Sequence, residues 1–186
     1  MTTEMRFKNA LRELMKSMSI DEISVTVLCK KCGCHRQTFY YHYQDIYDLI
    51  ADILLNEKVP GFEEAKNVED SLSVFLEYLK ANFIFYQATY ISSAHDLPDE
   101  FIFGKLRTKF LNMFSRDRKK LELKRINDCR DASRRFARIV SDEFGDCFKE
   151  ANMTPDKFKK RMSKFDERAI AILLPTIIGM SKEETR

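Results

Sequence analysis

The sequence predicts an all-α protein, and three observations carry that expectation. The 186 residues include only five Gly and four Pro, so turns are few and elements long. Apolar residues recur at three- and four-residue spacing along most of the chain. Strand-like alternation of Val, Ile and Thr is almost absent. With 44% hydrophobic and 33% charged residues, the chain is too apolar for disorder and has the material for a core.

The elements follow in order. Phe7, Ala10, Leu11, Leu14, Met15 and Met18 form one apolar stripe, which predicts a first helix over residues 5–18. Ser19-Ile20-Asp21-Glu22 breaks that pattern. A short second helix follows, capped by Ser24 or Thr26, with Val25, Leu28, Cys29 and Cys32 on one face. Gly33 ends it, at a position where positive φ is expected. A third helix runs from about His35 to Tyr41 or His42, with Phe39 and Tyr43 on its inner side. A fourth starts after Asp45, an acceptable N-cap, and buries Ile46, Leu49, Ile50, Ile53 and Leu54.

Pro60-Gly61 is the strongest break in the chain and sets the expected domain boundary, with one domain over 1–60 and a second over 61–186. Beyond it the pattern predicts a helical stretch over Val68–Tyr90, a helix with Pro98 just inside its start, and a basic, amphipathic stretch over 117–148. Thr154-Pro155-Asp156 reads as a cap followed by proline in the first turn. The last apolar helix contains Pro175, which should kink or break it.

Charge is uneven although the formal net charge is only +3. Residues 1–60 carry 8 Lys+Arg and 8 Asp+Glu, residues 61–104 carry 2 and 8, and residues 105–138 carry 13 and 4. The basic segment fits a long helix with a solvated face better than a nucleic-acid patch. No basic start followed by an apolar run marks a signal peptide. The longest apolar run, Ala169–Met180, is about 12 residues long, too short to span a bilayer. The expectation is a cytoplasmic protein with five reduced cysteines, most of them packed as small apolar groups.

Cys29-x-x-Cys32, followed by Cys34 and His35, has the spacing of half a zinc site. Against zinc, Cys29 and Cys32 share the inner face of a short helix, and no distant ligand pair matches them. No metal or other cofactor is therefore expected. Two short helices joined at Gly33 make a helix-turn-helix instead. Its second helix has the chemistry to enter a major groove. Arg36 can pair with a guanine edge and Gln37 with adenine, while Thr38, Tyr40, Tyr41 and His42 can donate to phosphates. So many aromatic groups in one exposed turn would be poor surface chemistry without a partner.

The stretch "SVTVLCKKCGCHRQTFYYHYQDIYDLI" (24–50) resembles the helix-turn-helix of the TetR/AcrR family of bacterial transcriptional regulators. Ser24-Val25 matches its opening, Cys29 and Cys32 stand at its alanine positions, and Gly33 and Tyr40-Tyr41-His42-Tyr43 match its turn and close. "RQTFYYHYQDIYDL" is similar to the subgroup that includes activators of dihydroxyacetone kinase operons, as is "FLEYLKANFIFYQA" (75–88). The resemblance implies that Ser24 caps the second helix and touches a phosphate. It implies that Thr26, Arg36 and Gln37 face bases, and that Thr38, Tyr40, Tyr41 and His42 contact the backbone of the duplex. Three residues depart from the pattern: His35 replaces a Ser or Asn cap, Tyr43 a Phe, and Ile46 a phosphate-binding Lys.

The resemblance further implies that the C-terminal part binds an effector and forms a homodimer through its last helices. Candidate pocket residues are Tyr78, Phe85, Tyr86, Phe110 and Phe114, though aromatics at helical spacing also serve as plain core. The expected function is a dimeric regulator of a palindromic operator in double-stranded DNA, controlled by a small-molecule or protein effector. The alternative is a protein–protein adaptor or co-regulator that keeps the helix-turn-helix as a scaffold, which the balanced charge of residues 1–60 and the loss of lysine at Ile46 favour. No Gly-rich phosphate loop or nucleophile motif suggests an enzyme.

Overall fold

A computed structural model describes residues 2–183. The described residues are helical with no strand. The α-helices are α1 (Thr3–Leu14), α2 (Val25–Cys32), α3 (Arg36–His42), α4 (Ile46–Leu55), α5 (Val68–Ala81), α6 (Phe83–Tyr90), α7 (Asp96–Arg116), α8 (Ile126–Lys149), α9 (Pro155–Arg168) and α10 (Leu174–Glu183). A single 3-10 turn, Ile20–Glu22, lies between α1 and α2, and a π-helical turn, Ala169–Leu173, joins α9 to α10.

Local chemistry explains most of the ends. The Thr2 hydroxyl accepts from Met5 N at 3.2 Å, so α1 begins at Thr3, two residues before the helix expected over 5–18. It ends at Leu14, and Met15 to Met18 close in turns, which shortens the helix expected over 5–18. Asp45 caps α4 by accepting from Asp48 N at 2.8 Å. Thr154 caps α9 by accepting from Lys157 N at 3.3 Å, with Pro155 in the first turn, where its missing N–H costs nothing.

Two departures from the sequence reading have physical causes. The single stretch expected over Val68–Tyr90 is two helices, broken at Asn82, whose backbone (φ −106°, ψ 22°) leaves the helical region. Pro175 does not end the last helix. Proline has no N–H and clashes with the preceding turn. The wide π turn directly before it, where Leu174 N reaches Ala169 O, carries the irregularity, and α10 continues.

The chain divides into two compact units. The first runs through Lys58 and takes in Asn82–Phe101; the second comprises Val59–Ala81 and the chain from Ile102 on. The sequence reading assigns all of 61–186 to one domain, whereas the segment Asn82–Phe101 packs with the first unit. Two polar staples account for that placement. Arg12 bonds Glu57 at 2.8 Å, reaches Asn82 Oδ1 at 3.4 Å and lies 4.3 Å from the centre of the Phe85 ring. Asp21 accepts from Tyr47 Oη at 3.0 Å and from Ser93 Oγ at 2.6 Å.

The core of the first unit is Phe7, Leu11, Leu28, Phe39, Leu49 and Ile50, all fully buried, with Tyr86. The second unit is a helical bundle in which α9 packs on α5 and α8, and α10 packs on α8. Its core is aromatic: Phe148 and Phe158 centres lie 4.6 Å apart, Phe110 and Phe136 5.1 Å, and Phe62 and Phe75 5.1 Å. Offset or edge contacts of this kind add to the burial of large apolar area. No described helix is long and apolar enough to cross a membrane.

One polar group sits badly in that core. Asp166, on α9, is 7% exposed, and its Oδ1 has no hydrogen-bond partner among the described residues. Burial pushes its carboxyl up to about 7. A carboxyl raised in the folded state stabilises most when protonated, below its unfolded value, and that contribution is lost as pH rises towards 7. The Asp166→Asn protein should therefore match or trail wild type near pH 4. It should gain on wild type steadily up to pH 8, by on the order of 4 kcal/mol, as read from urea unfolding midpoints across that range.

Candidate nucleic-acid interface

The interface is built on α3, and its position follows from two inward residues. Phe39 is fully buried and meets Phe7 of α1 edge-on, with ring centres 5.3 Å apart. Tyr43, at the foot of α3, lies 6.2 Å from the same ring. Its hydroxyl donates to Asp52 Oδ2 of α4 at 2.7 Å, and Lys8 of α1 pairs with that carboxylate at 2.7 Å. Partial burial raises the Asp52 carboxyl, but Lys8 and Tyr43 outweigh it and hold the group below its ordinary value. The Tyr43 hydroxyl is pushed well above the usual range by burial and by donating to that carboxylate. Tyr43 thus adds a polar anchor between α1, α3 and α4.

Helix α2 is held as firmly. The Ser24 hydroxyl accepts from Val27 N at 3.3 Å and caps its first turn. At the other end Arg6 of α1 donates to the Cys32 carbonyl, and Cys32 Sγ donates to Arg6 O at 3.6 Å. Gly33 follows at φ 64°, the left-handed region that disfavours a side chain. Ile46, where the resembling family has Lys, is buried in the first turn of α4 and serves the core.

The outward face carries the candidates. Ser24, Thr26, Arg36 and Gln37 are exposed and Thr38 is half-buried. Tyr40 is 50% and Tyr41 85% exposed. Arg36 is not loose: Nη2 donates to Tyr40 Oη at 3.1 Å, with the guanidinium 5.7 Å from the ring centre. His42 turns back instead of out. It is half-buried, with Nδ1 3.4 Å from Glu4 Oε1 of α1 and its ring 6.3 Å from Phe7. His35 heads α3 without a side-chain cap bond. Lys30 and Lys31, exposed in the last turn of α2, are two charges that the sequence candidates leave out. Their position beside Gly33 was the available signal. Among the described residues no group of three or more His, Cys, Asp or Glu is arranged to hold a metal ion.

The proposed pocket residues fall in different units. Phe85 and Tyr86 are buried in the first. Phe110 and Phe114, stacked at 6.1 Å and both buried, and the half-buried Tyr78 belong to the second. Other residues line the open grooves: one of about 690 Å³ runs along Lys157, Lys164, Phe165, Arg168 and Ile172, and one of about 600 Å³ along Phe103, Arg134, Arg138 and Met180.

The chain is similar in fold to known proteins. Over 91% of its length the chain superposes on 97% of the dihydroxyacetone kinase operon activator DhaS, with a TM-score of 0.62 and 22% identity. The fold is that of DhaS. A Pseudomonas aeruginosa PAO1 structure described as a transcriptional regulator matches 94% of the chain and 93% of its own, with a TM-score of 0.52 and 14% identity. In sequence, the "HTH-type dhaKLM operon transcriptional activator DhaS" of Lactococcus lactis subsp. lactis (strain IL1403) is 29% identical over 92 residues, 48% of this chain. That match spans 49%, about half, of the length of this curated relative. No protein-family profile matches the chain. The likeness to DhaS agrees with the TetR-like, all-α architecture expected from residues 24–50.

The Ser24 cap is exposed and local, so its worth can be measured alone. Ser24→Ala should cost about 1 kcal/mol of stability, read as a lower thermal midpoint, while circular dichroism at 20 °C stays helical.

Proposed function

We propose that this chain is a DNA-binding transcriptional regulator of the bacterial cytoplasm that reads a palindromic operator as a homodimer. The observation that carries the reading is the two-sidedness of α3. Phe39 and Tyr43 clamp one side to α1 and α4, while Arg36, Gln37, Tyr40 and Tyr41 stand in solvent on the other. A seven-residue helix is about 10 Å long and fits within a major groove about 12 Å wide. Arg36 and Gln37 of α3, with Thr26 of α2, read base edges. Ser24, Lys30, Lys31, Thr38, Tyr40 and Tyr41 hold phosphates and so set the register. His42 serves as a hinge to Glu4 more than as a DNA contact. The DhaS relatives, both named as operon activators, support a regulatory role.

Dimerisation supplies the second recognition helix that a palindrome needs. The segment Ala169–Met180 is the element proposed for it, since it is apolar and leaves Ile172 58% and Met180 46% exposed. Effector binding in the second unit would act by changing the spacing of the two α3 helices and hence the match to one turn of DNA.

The test begins with a duplex selected by the full chain from random-sequence DNA. Arg36→Ala should leave the thermal midpoint and the oligomeric mass unchanged. It should weaken binding to the selected duplex roughly 10- to 100-fold in fluorescence anisotropy, with little change on unrelated DNA. Failure of the wild-type chain to enrich any sequence at 50 mM salt would sink the reading and favour the adaptor.

A further inference from the structure

Three of the five cysteines, Cys29, Cys32 and Cys34, lie within six residues at the turn between α2 and α3. Packing explains the first two and leaves the third without a role. The turn itself relates them. Gly33 N donates to Lys30 O at 3.3 Å, and Cys34 N reaches back to Cys29 O at 3.1 Å. With Gly33 left-handed, this pair of bonds is a Schellman closure, which sets the side chain after the glycine against the one five residues earlier. Here those two side chains are both thiols. Cys34 is half-buried and Cys29 is 3% exposed; burial first, and then the nearby Cys34 thiol, raises Cys29 above the ordinary thiol range. Cys32 also lies near the Cys34 thiol, but its own sulfur donates to the Arg6 carbonyl at 3.6 Å.

We propose that Cys29 and Cys34 form an oxidisable dithiol, closed to a disulfide by a hydroperoxide, and that closure lowers the affinity of α3 for DNA. The first half rests on the turn alone; the second rests also on the function proposed above. Cys34, the more accessible thiol, attacks as the thiolate on a peroxide oxygen. The O–O bond breaks, one water leaves, and Cys34 becomes a sulfenic acid. The Cys29 sulfur then attacks the Cys34 sulfur, the S–O bond breaks, and hydroxide departs with the Cys29 proton as a second water. Two thiols have lost two electrons and two protons, and hydrogen peroxide has gained them. Burial, then the neighbouring thiol, pushes Cys29 up to about 11, so the second step draws on a small thiolate fraction and is the slower of the two.

The consequence follows from what holds α3. A covalent S–S bond is shorter than any non-bonded contact between sulfurs, so closure pulls Cys34 towards α2. Arg36 is two residues further on, and His35 between them makes no side-chain cap bond that would resist. Phe39 and Tyr43 keep the far end in place. The helix therefore pivots, and the base-reading end moves most.

The experiment uses the full reduced chain, treated with hydrogen peroxide, quenched with catalase, alkylated and digested with trypsin without reductant. Lys30 and Lys31 lie between the two cysteines, so a Cys29–Cys34 disulfide joins two tryptic peptides, whereas a Cys32–Cys34 bond stays within one. The joined pair is expected in wild type and Cys32→Ser and absent in Cys34→Ser. On the selected duplex, Kd should rise tenfold or more after oxidation of wild type and Cys32→Ser, and return with dithiothreitol. Cys34→Ser should bind equally before and after peroxide. Absence of the joined peptides, or their presence with less than a twofold change in Kd, overturns the proposal. If the reduced chain selects no DNA sequence, the regulator reading falls on its own. The dithiol is then decided by the joined peptides together with amide exchange over Arg36–His42, and unaltered exchange overturns it.

Discussion

The contact of Phe39 and Tyr43 with Phe7 is what the N-terminal half of this protein depends on. A helix of seven residues has too few internal hydrogen bonds to persist alone in water. α3 exists as a rod because two of its rings are buried against α1, and because the Tyr43 hydroxyl is held by an Asp52 carboxylate that Lys8 also holds. Everything that faces outward, Arg36 and Tyr40 included, takes its direction from those inward groups. The Arg36–Tyr40 bond then narrows the freedom of a long side chain that would otherwise be free to rotate in solvent.

Charge is sparse on the candidate interface. Residues 1–60 are balanced, and Ile46 at the start of α4 is apolar and buried. What remains is local: Lys30, Lys31 and Arg36 flank the turn, and hydroxyls and amides carry the rest. A surface of that composition offers a polyanion few ionic contacts.

The second unit is organised differently. Its phenylalanines fill the space between helices, and irregularities are absorbed where they arise, as at the π turn before Pro175. Asp166 is the exception, a carboxyl kept in the core with one oxygen unpartnered. A group of that kind makes the stability of the bundle depend on proton concentration near neutrality, a property that no apolar residue at the same place would confer.

Much of this was legible in the residues alone, for a physical reason. Apolar spacing and the caps at Asp45, Thr154 and Gly33 act over three to five residues, so the sequence states them directly. The stripe of α4, the inward pair Phe39 and Tyr43, and the outward Arg36, Gln37, Tyr40 and Tyr41 were all readable in that way. Tertiary structure decided the rest. Asn82–Phe101 joins the first unit because Arg12, Asp21 and Tyr47 reach it from far along the chain. His42 faces Glu4 because of how α1 docks on α3. Contacts between distant segments depend on how helices pack, and no local periodicity encodes that.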